Sequence, residues 1–97
     1  MHSGILESIY DSRQSFYGKA FVVKDYVGDD VVYTLLSYGT LVASAKVNPD
    51  GKWSYTHMGN YSQTTSRHQR EFFKQLGLSD EDIKILKKNV DKEVSFE

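Results

Sequence analysis

The four residues Asn48-Pro49-Asp50-Gly51 constrain this chain more than any others. Pro49 presets φ for the second position of a tight turn, Asp50 bonds its own backbone, and Gly51 tolerates a left-handed exit. On their N-terminal side, Thr40 to Val47 alternates, with Leu41, Ala43, Ala45 and Val47 on one face and Val42, Ser44 and Lys46 on the other. On their C-terminal side, Lys52 to His57 sets Trp53, Tyr55 and His57 on a common side. The tetrapeptide therefore predicts a hairpin between two antiparallel strands. The two alanines leave a shallow trough in its inner face, a seat for a packed helix.

The same reasoning extends upstream. Lys19 to Tyr26 and Val31 to Leu36 are rich in Val, Tyr and Phe or Leu, Gly28-Asp29-Asp30 between them suits a hairpin, and Tyr38-Gly39 turns the chain into the next strand. A four-stranded antiparallel meander over residues 19–57 is the expectation. After Gly59, the polar run 60–66 supplies hydroxyls to cap a helix in which Phe72, Phe73 and Leu76 recur at helical spacing until Gly77 ends it. Ser79 opens a second helix with Asp80, Glu81 and Asp82 in its first turn and Ile83, Leu86 and Val90 as its buried stripe. The helix pair occupies 64–90, and 91–97 are expected to fray. At the other end, Ile5, Leu6, Ile9 and Tyr10 fit a short helix ahead of a loop at Asp11 to Ser15. The fold class is α+β, and 97 residues suit one domain with one core.

Charge and composition narrow the function classes. A net charge of -1 is unlike a polyanionic DNA mimic and unlike a basic protein that grips phosphates over a long footprint. With no Cys there is no disulfide, thiol nucleophile or thiolate metal site. His2, His57 and His68 lack a ligand spacing, so neither a metal nor a cofactor is expected. Neither a signal-peptide pattern nor a membrane-length apolar run is present, so a cytoplasmic location without membrane contact is expected.

The helix start Thr64-Thr65-Ser66-Arg67-His68-Gln69-Arg70-Glu71 departs most from local rules, because cations stand where anions belong. Free amides, hydroxyls and two or three cations together suit an anion such as phosphate or carboxylate. The plainer reading is that the hydroxyls cap the helix while Arg67 and Arg70 are solvated or pair with sheet carboxylates. His57 and His68 also have the titration range of an acid–base pair in a small ribonuclease-like enzyme. The aromatic set of Tyr17, Phe21, Tyr26, Tyr33, Tyr38, Trp53, Tyr55 and Tyr61 should be mostly core. Any members that stand on the surface suit stacking on single strands or a protein interface. Reading of DNA by the second helix is disfavoured, since Asp80, Glu81 and Asp82 would meet phosphate.

Three blocks carry a resemblance: Tyr10-Asp11-Ser12-Arg13-Gln14-Ser15-Phe16-Tyr17-Gly18-Lys19-Ala20, Ser37-Tyr38-Gly39-Thr40-Leu41-Val42-Ala43, and Tyr61-Ser62-Gln63-Thr64-Thr65-Ser66-Arg67-His68 with Glu71-Phe72 and Gln75-Leu76-Gly77. Together they resemble a family of small domains of unknown function carried by phages and conjugative plasmids of Gram-positive bacteria. The resemblance implies a mobile-element setting in a bacterial host and, with it, an anti-CRISPR-like counter-defence protein that is non-catalytic and occupies a surface of a host nuclease or effector. Its first site candidates are Asp11, Ser12, Arg13, Tyr17 and Lys19 in one block and Ser62, Thr64, Thr65, Ser66, Arg67 and His68 in another, with Arg70 beside them. Equally, these residues suit a structural knot, with Asp11 bonding Arg67 or capping the helix. The alternative function is a nucleic-acid-binding accessory protein of phage or plasmid propagation, using Lys19, Arg67, His68, Arg70 and Lys74.

Overall fold

Alternating side chains and tight turns build an antiparallel sheet, and two amphipathic helices cover one face of it. A computed structural model describes residues 1–59 and 61–96. Asn60, at the head of the polar run, and Glu97, at the end of the tail, lie outside the described residues. Strands β1 (Gly4–Ile5), β2 (Ala20–Val27), β3 (Asp30–Ser37), β4 (Thr40–Val47), β5 (Trp53–His57) and β6 (Glu93–Val94) lie in the sheet in chain order. Every neighbouring pair is antiparallel. Helices α1 (Gln63–Gln75) and α2 (Asp80–Lys88) follow β5. The α+β class holds, and the sheet has six strands rather than four.

The two extra strands are each two residues long and need distant partners. Gly4 and Ile5 face Val22 and Phe21, while Val94 and Glu93 face Tyr55 and Thr56. The N-terminal segment is therefore not helical. Gly4 has φ +136°, and the chain then runs as a loop with Leu6 buried and Ile5 exposed. The tail that was expected to fray is tied down, because Glu93 accepts a hydrogen bond from Ser54 at 2.6 Å and pairs with Lys46 at 3.0 Å. Phe96 adds a tilted contact on the Tyr55 ring. Each terminal strand covers a short stretch of a sheet edge, Phe21 and Val22 of β2 and Tyr55 and Thr56 of β5.

The alternation in β4 breaks at one place. Leu35 pairs with Ala43 but Leu36 pairs with Leu41, so Val42 is an extra residue, a β-bulge. The bulge turns Val42 into the core and leaves Leu41 on the open face at 44% exposure, which corrects the uniform face expected for this strand. Inside the fold, Ala20, Val22, Tyr33, Leu35, Ala43, Ala45 and Tyr55 meet Phe72 and Phe73 of α1 and Ile83 and Leu86 of α2. The alanines leave the room that α1 fills. Among the described residues no helix is long and apolar enough to cross a membrane.

Candidate functional site

Helix α1 is fixed at its start by hydroxyls. Ser62 Oγ accepts from the Thr65 amide at 3.3 Å, which caps the helix. Thr65 is itself buried and meets Ser37 Oγ at 3.0 Å, and Ser37 Oγ also lies 2.8 Å from His68 Nδ1. The last residue of β3 is thereby joined to the first turns of α1. The His68 ring packs edge-on against Phe16, 4.6 Å between centroids, and its Nε2 is buried without a partner. Burial disfavours the charged imidazole and holds its pKa below the ordinary 6.5, although nearby Asp11 pulls the other way.

One turn further on, Glu71 is 1% exposed. Its Oε1 accepts from three successive backbone amides, Ile9 at 3.1 Å, Tyr10 at 2.8 Å and Asp11 at 2.9 Å. Its Oε2 accepts from Gln75 Nε2 at 2.7 Å, which also reaches the Glu7 carbonyl at 2.8 Å. Beside it, Arg67 Nη1 bonds Asp11 Oδ1 at 2.9 Å, and the Arg13 amide donates to the same oxygen. Burial opposes the Asp11 carboxylate, but the Arg13 amide and the Arg67 guanidinium outweigh it and hold the pKa below its ordinary value. The bonds between the loop and α1 span 56 to 68 residues of sequence. They turn the loop from Glu7 to Lys19 into a fixed part of the fold.

Among the polar side chains Glu7, Ser12, Arg13, Gln14, Ser15 and Lys19, this loop also shows apolar and aromatic ones to solvent. Ile9 is 64%, Tyr10 54% and Tyr17 79% exposed. Phe16, by contrast, is buried and anchors the loop next to His68. Tyr17 and Gly18 have φ of +53° and +72°, and Tyr38 and Gly39 have +51° and +79°. Each pair supplies the two positive φ angles of a type I′ turn, in a tyrosine that pays about 1–2 kcal/mol to sit there. The turns are neighbours, since the Tyr38 amide donates to the Lys19 carbonyl at 2.8 Å while the Lys19 amide closes the first turn on Phe16.

The candidate residues therefore divide. Asp11, Ser62, Thr65, Arg67 and His68 come together as the knot. Arg13, Tyr17 and Lys19 are exposed on the loop, and Thr64 is half-buried. Arg70 stands apart, paired with Asp80 at the start of α2 at 3.0 Å. Lys74 shares that carboxylate at 3.8 Å. His57 is buried against Phe73 with both ring nitrogens unpartnered. Burial, helped by Lys87, holds its pKa below the ordinary 6.5. Among the described residues no group of three His, Cys, Asp or Glu lies close enough to hold a metal ion. Of the aromatic set, Tyr33, Trp53 and Tyr55 stack on the core side, while Tyr17, Phe21, Tyr26, Tyr38 and Tyr61 are exposed.

Sequence reasoning missed Ser37, Gln69, Gln75 and the main role of Glu71. Gln69 is fully buried and donates to the Val42 carbonyl at 2.9 Å, at the bulge. The signal was there: Thr65, His68, Gln69, Phe72 and Leu76 make one helical stripe, and polar residues on an apolar stripe need partners. Tyr38 was also absent from the site, although its Tyr-Gly turn repeats that of Tyr17-Gly18.

The fold and site define a helix-backed antiparallel sheet that holds one long loop rigid at its edge. The chain belongs to a family of unknown function, DUF8033, whose model matches residues 5–91. That span contains the whole knot and both tyrosine turns. No curated protein and no solved structure matches the chain.

Proposed function

We propose that the protein is a small non-catalytic binding protein of a mobile genetic element, and that in the cytoplasm of its bacterial host it acts as an anti-CRISPR-like counter-defence protein on the surface of a host nuclease or effector. The observation that carries the binding role is the loop pinned by Glu71. Three backbone amides are spent on one carboxylate oxygen, and the side chains so displayed are Ile9, Tyr10 and, further along, Tyr17. A rigid apolar display lowers the entropy lost on binding, and tyrosine is favoured at interfaces for its area and polar tip. The resemblance of the three blocks to domains of phages and conjugative plasmids supplies the setting.

The rival functions draw less support from the same geometry. Arg67 is paired with Asp11, and Arg70 and Lys74 share Asp80, which shortens the footprint available to nucleic acid. The buried rings of His57 and His68 lack the solvent-facing position an acid–base pair needs.

The test is protection of a phage or plasmid in a host with an active defence nuclease. The variant Tyr10→Ala/Tyr17→Gly should fold as the wild type does by circular dichroism and lose protection. Full protection by a folded double variant would remove the loop from the interface. A wild-type protein that protects against no host nuclease would overturn the counter-defence role itself.

A further inference from the structure

We infer that the partner surface met by this loop is an acidic protein surface, with its carboxylates received by Arg13 and Lys19; the inference rests on the binding role just proposed. The meander places the β2–β3 and β4–β5 turns at one end of the sheet, and the loop together with the β3–β4 turn at the other. The first end gathers Asp29, Asp30 and Asp50 with Lys52 as its cation. At the second end the carboxylate of Asp11 is already taken by Arg67. Arg13 and Lys19 are exposed there, and among the described residues neither makes an ion pair. A chain of net charge -1 thus presents two exposed cations free of ion pairs near Tyr17 and Tyr38, with Glu7 as the exposed carboxylate of the same loop.

That combination fits carboxylates set in a partly apolar surface. Charge-assisted bonds from Arg and Lys give direction, the phenol hydroxyls donate further bonds, and the rings cover apolar area. Phosphate would satisfy the cations too, but a nucleic-acid duplex repays a run of many such contacts. Here the nearby Arg67, Arg70 and Lys74 are engaged internally, and the acidic turns at the far end oppose a long polyanion.

The test uses the full chain and two probes, a short polyglutamate peptide and a single-stranded oligothymidine of equal charge, followed by amide chemical shifts at low and high salt. Polyglutamate should shift Tyr17, Gly18, Lys19, Tyr38 and Gly39, the shifts should vanish at high salt, and Arg13→Gln/Lys19→Gln should weaken binding about ten-fold. Shifts centred on the lysines of α2, or none, would overturn the assignment. Stronger shifts of the same amides by the oligothymidine would overturn it in favour of nucleic acid. The two proposals fail separately: a folded Arg13→Gln/Lys19→Gln protein that still protects its phage sinks the acidic partner alone. Specific polyglutamate binding by a protein that protects nothing sinks the counter-defence role alone.

Discussion

Replacing Glu71 by Gln changes one oxygen to an NH₂ group at nearly constant volume, in a side chain that is 1% exposed and accepts four hydrogen bonds. Bonds to a carboxylate contribute about 1.5–3 kcal/mol each and neutral ones about 0.5–1.5, so three backbone bonds lose about 3 kcal/mol if the remaining carbonyl oxygen keeps all three. The new amide then points its hydrogens at Gln75 Nε2, a donor that is already committed to the Glu7 carbonyl. Either Gln75 flips and abandons Glu7, or two donors face each other. The relief of desolvating a neutral group in place of a carboxylate offsets part of this, and a net loss of about 3 kcal/mol is expected. Glu71→Ala should lose about 3–5 kcal/mol, limited because the loop can peel into water and satisfy its amides there. For a chain of this size 3 kcal/mol lowers the melting temperature by about 12–24 °C. Urea titration followed by circular dichroism gives the free energy, and hydrogen exchange of the Ile9, Tyr10 and Asp11 amides locates it. A Gln variant within about 0.5 kcal/mol of wild type with those three amides still protected would refute the reasoning.

Three further outcomes follow from the same packing. Phe72→Ala should cost about 3–5 kcal/mol, since Phe72 is fully buried between sheet and helices, and a variant of wild-type stability in urea would mean that α1 seats differently. Burial lowers the pKa of His57 and of His68 below 6.5, so the unfolded chain takes up protons first as pH falls. Stability should be complete above about pH 6.5 and decline toward the lowered folded values, with the depressed Asp11 carboxyl adding its loss in stronger acid; a melting temperature flat from about pH 7 to pH 5 would contradict this. Tyr17→Gly releases about 1–2 kcal/mol of left-handed strain against about 0.5–1 kcal/mol of added chain entropy, so calorimetry should find it unchanged or up to about 1.5 kcal/mol more stable.

The central meander was legible because its information is local. Asn48 to Gly51, Gly28-Asp29 and Tyr38-Gly39 each carry turn chemistry, and the strands between them alternate, so β4 spans the residues read from sequence. The bulge at Val42 was not legible, because Leu41 to Val47 alternates without interruption. What decides it is that the Val42 carbonyl receives both the Met58 amide and the Gln69 carboxamide. β1 and β6 were invisible for a related reason. Two-residue strands have no period of their own and exist through pairing with Phe21, Val22, Tyr55 and Thr56. Ile5, Leu6, Ile9 and Tyr10 have helical spacing, yet the amides of Ile9 and Tyr10 bind a carboxylate on α1 instead of carbonyls one turn earlier. At the site, Asp11 with Arg67 was foreseen as one of two uses of the motif, but Glu71 lay 60 residues from the amide of Asp11.

The anomaly that drew attention to the helix start, cations where anions belong, resolves once the loop is in place. Arg67 is answered by Asp11 from the loop and Arg70 by Asp80 from α2, so the first turns of α1 are neutralised from two sides by carboxylates outside the helix. An open anion pocket there would need those arginines free. Of the polar residues in the first and third blocks, Asp11, Thr65, Arg67, His68 and Glu71 thus work within the fold, where they hold the loop and β3 against α1. The loop then carries a cost with little return inside the fold: Tyr17 sits at positive φ with 79% of its surface in water, whereas Tyr38, at positive φ in the β3–β4 turn and 58% exposed, sets its ring 5.8 Å from that of His68. An exposed ring recovers little packing energy, and a glycine at either position would relieve the strain. Stability alone therefore gives no reason for tyrosine at position 17, which accords with the proposed contact with a second surface. That is the physical ground for placing recognition on the tyrosines and cations of the loop rather than on the hydroxyls and arginines of the helix.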